Sequence, residues 1–159
     1  MLFKAFVTYV RPLLQYNCQV WSPFYVSLIR QVESVKNTKR LKGFSVLHYC
    51  ERLNKLEAET LEMRRLKLDL VMYYNILHGF VDIDAGSLFD TINCNVIHNR
   101  GHPLRIIKQH CNVNCRSSSL VCRNTNASKN LPQHVVNCKT ATTFKRKLST
   151  VDLTQFVNF

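Results

Sequence analysis

Apolar positions recur at helical spacing along most of the first 80 residues. Phe3, Phe6, Val7, Val10 and Leu14 fall three or four apart and predict a helix over 2–16. Pro12 lacks a backbone donor, so a kink or a new helix start is expected there. Ser22 and Pro23 read as the N-cap and first position of a second helix, which runs to about Leu41. Phe24, Leu28, Val32 and Val35 form its apolar stripe, and Gly43 stops it. A short third helix is predicted over Leu47–Leu56. Thr60 caps the longest helix, which reaches His78 with Met63, Leu66, Leu70, Tyr73 and Leu77 on its core face. Arg65 and Asp69 are set to pair at i,i+4 on its outside, and Gly79 follows as a natural C′ residue.

Beyond Gly86 the helical period fades, and Asn, Ser, Thr and Cys dominate. Leu88-Phe89, Leu104–Ile107 and Ser119–Cys122 read as short strands, and residues 140–149 as a final basic helix. The expected architecture is mainly α. A helical bundle over 1–86 precedes a less regular, basic, Cys/His-rich segment over 87–159 with short strands and that last helix. Gly and Pro are scarce, four each, which agrees with helices over a turn-rich β fold. The lone Trp21, set among Leu13, Leu14, Tyr16 and Val20, is expected to bury its ring as a core anchor against the 60–78 helix.

Charge changes the picture in the second half. The chain carries a formal +12, yet residues 1–90 hold 12 Lys/Arg against nine Asp/Glu, and residues 91–159 hold ten against Asp152 alone. An acid-free stretch of that length points to a polyanionic partner, although sequence drift would leave the same mark. The apolar run at Leu70–Tyr74 is too short to span a bilayer, and Ala5-Phe6-Val7 and Tyr9-Val10 too short for a signal segment. The expectation is an intracellular protein, nuclear or cytoplasmic, with no membrane contact. Its seven cysteines, an odd number, should there be reduced.

The order of residues adds a resemblance. Arg11, Pro12, Leu14 and Tyr16 fill R-P-x-L-x-Y, and Val20 to Pro23 fill V-W-S-P. Leu47, Tyr49, Glu51, Arg52, Leu53 and Leu56 form a second block. Leu61, Glu62, Arg64, Arg65, Leu66, Asp69, Leu70, Tyr74, Ile76, Leu77 and Gly79 form a third, the most specific. Arg100-Gly101-His102, Leu131-Pro132 with Val135-Val136, and Phe144-Lys145 with Leu148 follow in order. This series resembles the segment after the catalytic palm in reverse transcriptases of LINE-type (non-LTR, jockey-like) retrotransposons. The resemblance implies a helical thumb over 1–86 and a basic post-thumb segment over 87–159. It also implies a parent RNA-directed DNA polymerase whose upstream palm would be a partner. The chain departs from the family at Ser128, where a Trp is usual, and at Ser119-Leu120-Val121.

Polymerisation needs two metal ions held by palm carboxylates. No Asp-Asp pair occurs here, and Asp82 and Asp84 read as loop acids, so the chain is expected to be non-catalytic and without a cofactor. P-loop, dinucleotide and nucleophile-elbow motifs are absent. The leading expectation is non-specific RNA and DNA binding, as to a template–primer, through phosphate contacts. The candidate residues are Lys36, Lys39, Arg40 and Lys42 at the end of the second helix, and Arg100, Arg105 and Lys108 in the acid-free half. Four cations in seven residues exceed what dipole capping requires. Two alternatives stand beside it. One is an inert, degenerate transposon relic, suggested by Ser128. The other is a zinc-binding interaction module with Cys111, Cys115, His134 and Cys138 as ligands, at spacings looser than the usual fingers.

Overall fold

The computed structural model describes residues 2–89, 107 and 109–157, and all statements below concern these. They are mainly helical, and among them no strand forms. The chain divides into two compact units, residues 1–65 with 157–159, and residues 66–156. The boundary falls inside the longest helix, whereas composition changes near Gly86.

In the first unit, α1 (Leu2–Ala5), a π-helical turn (Phe6–Val10) and α2 (Arg11–Gln15) follow without a break. Pro12 has no N–H for the carbonyl four residues back, and the wider turn lies just before it, with Arg11 N–H donating to Phe6 O. The expected inward stripe is kept: Phe6 is buried, and Phe3, Val7, Val10 and Leu14 are half-buried. Asn17 then takes a left-handed conformation and starts α3 (Cys18–Trp21), whose Cys18 is fully buried.

The second helix differs from expectation. Ser22 to Tyr25 is non-helical, and α4 (Val26–Ser34) begins three residues after Pro23, with Tyr25 as N-cap. Its buried face is Ile29 and Glu33, continuing to Lys36, one position on from the predicted stripe. Phe24, Leu28 and Val35 are exposed instead. Trp21 is also corrected. It is 40% exposed and not a core anchor; its Nε1 donates to Tyr16 O at 2.6 Å, holding the turn at Asn17.

A 3₁₀ turn (Thr38–Arg40) leads to α5 (Tyr49–Lys55), where Glu51 accepts from the His48 N–H in a capping box. Then comes α6 (Leu61–Leu77), with Thr60 Oγ1 accepting from Met63 N at 3.0 Å as predicted. Gly79 has φ +67°, and Phe80 N–H reaches back to Asn75 O at 2.8 Å, closing the helix in a Schellman-like pattern. The expected outside placement of Arg65 and Asp69 on this helix is overturned, because each is 2% exposed. Asp69 is held inside by Arg123, whose Nε and Nη2 both donate to its Oδ2 at 2.9 Å.

The second unit contains α7 (Ala85–Leu88), α8 (Asn114–Ser117), α9 (Leu120–Lys129), α10 (Gln133–Val136) and α11 (Ala141–Leu148). Tyr73, Ile76 and Phe89 form one core cluster, joined by Leu88, Leu120 and Val121. Tyr74 stacks on Phe144 with centroids 4.3 Å apart. Leu88 therefore ends a helix rather than starting a strand, and Ser119 is the N-cap of α9, not a strand residue. The polar sequence of α9 hides its helical period. Asn124 Nδ2 donates to Leu120 O and Thr125 Oγ1 to Val121 O, so polar side chains can be buried on a helix. Ser128 is buried beside Tyr73, its Oγ 3.2 Å from the Tyr73 hydroxyl and 3.0 Å from Thr125 O. The predicted strand over Leu104–Ile107 lies outside the described residues except for Ile107.

Candidate nucleic-acid interface

The basic run at the end of α4 is sorted by a buried polar hub. Glu33 is 2% exposed. Its carboxylate accepts from the Leu61 backbone N–H at 2.8 and 3.1 Å, from the Tyr49 hydroxyl, and from Lys36 Nζ at 3.4 Å. A side chain of α4 thus caps the start of α6 and fixes α5 at once. Lys36 also donates to Glu59 O. Burial holds the Lys36 pKa below the ordinary lysine value; Glu33 opposes that shift, and the Arg64 and Arg11 guanidiniums add to it. Burial, with the bond to Glu33, raises the Tyr49 phenol above its usual range.

Lys36 therefore leaves the candidate set. At 6% exposure, with its ammonium committed to Glu33 and Glu59, it has no surface for a phosphate. A cation at that position needs a buried partner, and Glu33, one turn earlier on the same face, supplies it.

Lys39, Arg40 and Lys42 stay together and exposed. Asn37, at φ +44° and three residues beyond α4, swings the chain into the 3₁₀ turn, and Gly43, at φ +80°, ends the loop. The loop is clamped from beneath. Arg52 Nε donates to Thr38 Oγ1 at 3.0 Å, and its Nη1 to Leu47 O at 2.6 Å. The Arg52 guanidinium also lies over the Tyr49 ring, 5.5 Å from the centroid. Thr38 and Arg52 are both buried. Three cations thus project from a turn whose two ends and underside are held. Sequence reasoning did not single out Arg52 as a structural residue. The only signal for it was its fixed place in the second block of the resemblance.

The other predicted contacts, Arg100, Arg105 and Lys108, lie outside the described residues. In the second unit α11 places Phe144 and Leu148 inside and Lys145 and Arg146 outside. Lys147 donates to His134 O at 2.7 Å.

The alternative zinc ligands are not gathered. Cys111 Sγ lies 3.3 Å from Cys122 Sγ, Cys115 is exposed, and Cys138 is buried with its thiol toward His134 O at 3.8 Å. Among the described residues no group of three or more His, Cys, Asp or Glu side chains is placed to hold a metal ion. The proton shared with Cys122 raises the Cys111 thiol pKa, and Arg116 opposes the shift. Asp82 and Asp84 are exposed, and Asp84 is used to cap α7 through Gly86 N at 3.0 Å. Among the described residues no helix is long and apolar enough to cross a membrane.

Comparison with known proteins adds a partial likeness. Over an alignment of 93 positions the chain is 30% identical to an uncharacterised protein of Caenorhabditis elegans, covering 54% of this chain and 47% of that protein. The chain thus spans about half the length of the curated relative it matches. No family model matches the chain, and no solved structure does.

Proposed function

We propose that the chain is a non-catalytic nucleic-acid-binding segment of a LINE-type reverse transcriptase, holding RNA and DNA by phosphate contacts. The observation that carries this reading is the clamped loop. Lys39, Arg40 and Lys42 are exposed on a turn anchored by the buried pair Thr38 and Arg52. Cations on a turn already held in place lose less freedom when they meet a phosphate. A three-residue 3₁₀ turn offers no long helix to enter a groove, so sequence preference is expected to be small. Exposed Lys145 and Arg146 on α11 add cations from the acid-free half.

The resemblance makes the parent protein's palm the partner of the first unit. Tyr9, Leu13, Tyr16 and Val20 support this. Each is more than 70% exposed. Apolar side chains exposed in series mark a surface that a partner covers. Catalytic carboxylates would come from that palm, so the chain alone is expected to extend no primer. The test is titration of labelled RNA and duplex DNA at several salt concentrations. Three duplex phosphate contacts from the loop contribute a log–log slope of roughly −2.7, at about −0.9 each. A flat salt response, or binding confined to one base sequence, removes the reading.

A further inference from the structure

Two thiols in the second unit point to a different chemistry from that of the basic turn. Cys111 precedes α8, and Cys122 lies in the first turn of α9. Eleven residues separate them in the chain, yet their sulfurs are 3.3 Å apart. That is closer than the ordinary contact between unbonded sulfurs, and about 1.3 Å beyond a disulfide bond. Their surroundings are unequal. Cys122 is 5% exposed, whereas Cys111 is half-buried and lines a cavity of about 460 Å³ together with Gln109, His110, Ser117, Cys122 and Arg123. Arg116, whose Nη2 donates to Gln109 Oε1 at 2.8 Å, is the cation beside the Cys111 thiol. A reachable thiol in contact with a buried second thiol is a geometry in which thiol–disulfide exchange can close an intramolecular disulfide.

We propose that Cys111 and Cys122 form a covalent modification site, a dithiol that small peptide disulfides of the glutathione class convert into an intramolecular disulfide. Cys111 gives up its proton, and its sulfur attacks one sulfur of the incoming disulfide. That S–S bond breaks, one equivalent of small thiol leaves with the proton, and a mixed disulfide remains on Cys111. Cys122 then loses its proton to solvent and attacks the Cys111 sulfur, expelling the second small thiolate, which takes up a proton from solvent. Two protein thiols are oxidised by two electrons in all, and one small disulfide is reduced to two thiols. Cys111 is the entry point because it is the more exposed of the two, and Cys122 is the resolving thiol because it is buried against it. The product ties residues 109–111 to α9, the helix that Arg123 already holds to Asp69.

The spacing within the chain makes the test direct. Trypsin cuts after Lys108, Arg116 and Arg123, so Cys111 and Cys115 fall in one peptide and Cys122 in the next. The folded chain is incubated in oxidised glutathione, its free thiols are alkylated under native and then denaturing conditions, and the digest is read by mass. The expected result is the joint loss of two alkylatable thiols of the seven, with the two peptides joined as the dominant species, lighter by two hydrogens. Cys115→Ser keeps the linked pair. Cys111→Ser loses it and leaves Cys122 unmodified, while Cys122→Ser stops at a mixed disulfide with glutathione on Cys111. Far-ultraviolet circular dichroism of each variant confirms that its helices are intact. A linked pair that persists in Cys111→Ser, or Cys111 and Cys122 that stay separately alkylatable in the folded wild type, overturns the proposal.

Discussion

Glu33→Ala is the substitution with the largest consequence for the first unit. Truncation removes the acceptor for the Leu61 N–H, for the Tyr49 hydroxyl and for Lys36 at once. Lys36 would keep only Glu59 O while remaining about 6% exposed, so a charge is left largely uncompensated in the interior. Breaking one side of a buried ion pair typically costs about 3–5 kcal/mol. Loss of the capping contact at the start of α6 adds about 1 kcal/mol, although shared partners make the terms less than additive. A net loss of about 4 kcal/mol is expected, most of the stability of a small unit. Trp21 is the only Trp and lies in the same unit, so its fluorescence reports guanidinium unfolding there. Glu33→Leu combined with Lys36→Met should recover part of the loss, because no orphaned charge remains. A cost below about 1 kcal/mol for Glu33→Ala, or a double variant no better than the single one, would refute the hub as the organiser of the unit.

Other expectations follow from the same geometry. Arg52→Met should cost about 1–3 kcal/mol through the bonds to Thr38 and Leu47, read by denaturant midpoint. It should also weaken RNA binding although Lys39, Arg40 and Lys42 remain. Ser128→Trp should destabilise by about 1–3 kcal/mol, since the void beside Ser128, Tyr73 and Phe144 is only about 20 Å³ and an indole overfills it. A thermal midpoint raised by this change would contradict the packing described. His78 has its pKa lowered from 6.5 by burial, and its Nε2 has no hydrogen-bond partner among the described residues. Below pH 6.5 the unfolded chain takes up a proton that the folded chain does not. Stability should therefore fall as pH drops from 6.5 through the folded value, and His78→Phe should flatten that slope in denaturation at pH 5–7.

Most helix positions were legible in the sequence where local rules govern them. The stripe from Phe3 to Leu14, the restart near Pro12, the Thr60 cap, the Gly79 stop and the final helix all lie where periodicity and capping put them. Errors arose where a partner distant in the chain sets the phase. On α4 the apolar count favours Phe24, Leu28, Val32 and Val35. The buried face is instead chosen by Glu33 and Lys36 closing on the backbone of Glu59 and Leu61. No local pattern encodes that contact. The reading of Ser119–Cys122 as a strand failed because α9 buries Asn124, Thr125 and Ser128, whose side chains bond to their own helix. At the candidate site the charge run itself was plain. Separating Lys36 from Lys39, Arg40 and Lys42 required knowing which way α4 faces. Spacing along the chain likewise pairs Cys111 with Cys115, whereas the turn through α8 sets Cys111 against Cys122.

The proposed hold of the clamped turn on phosphates is tested by the salt dependence of RNA and duplex DNA affinity for wild type and for Lys39→Ala, Arg40→Ala and Lys42→Ala combined. All three side chains are exposed, so the fold should survive their truncation. Weaker binding to every sequence tried is expected, with a duplex log–log slope shallower by roughly 2.7. An unchanged slope in the folded triple variant would contradict it.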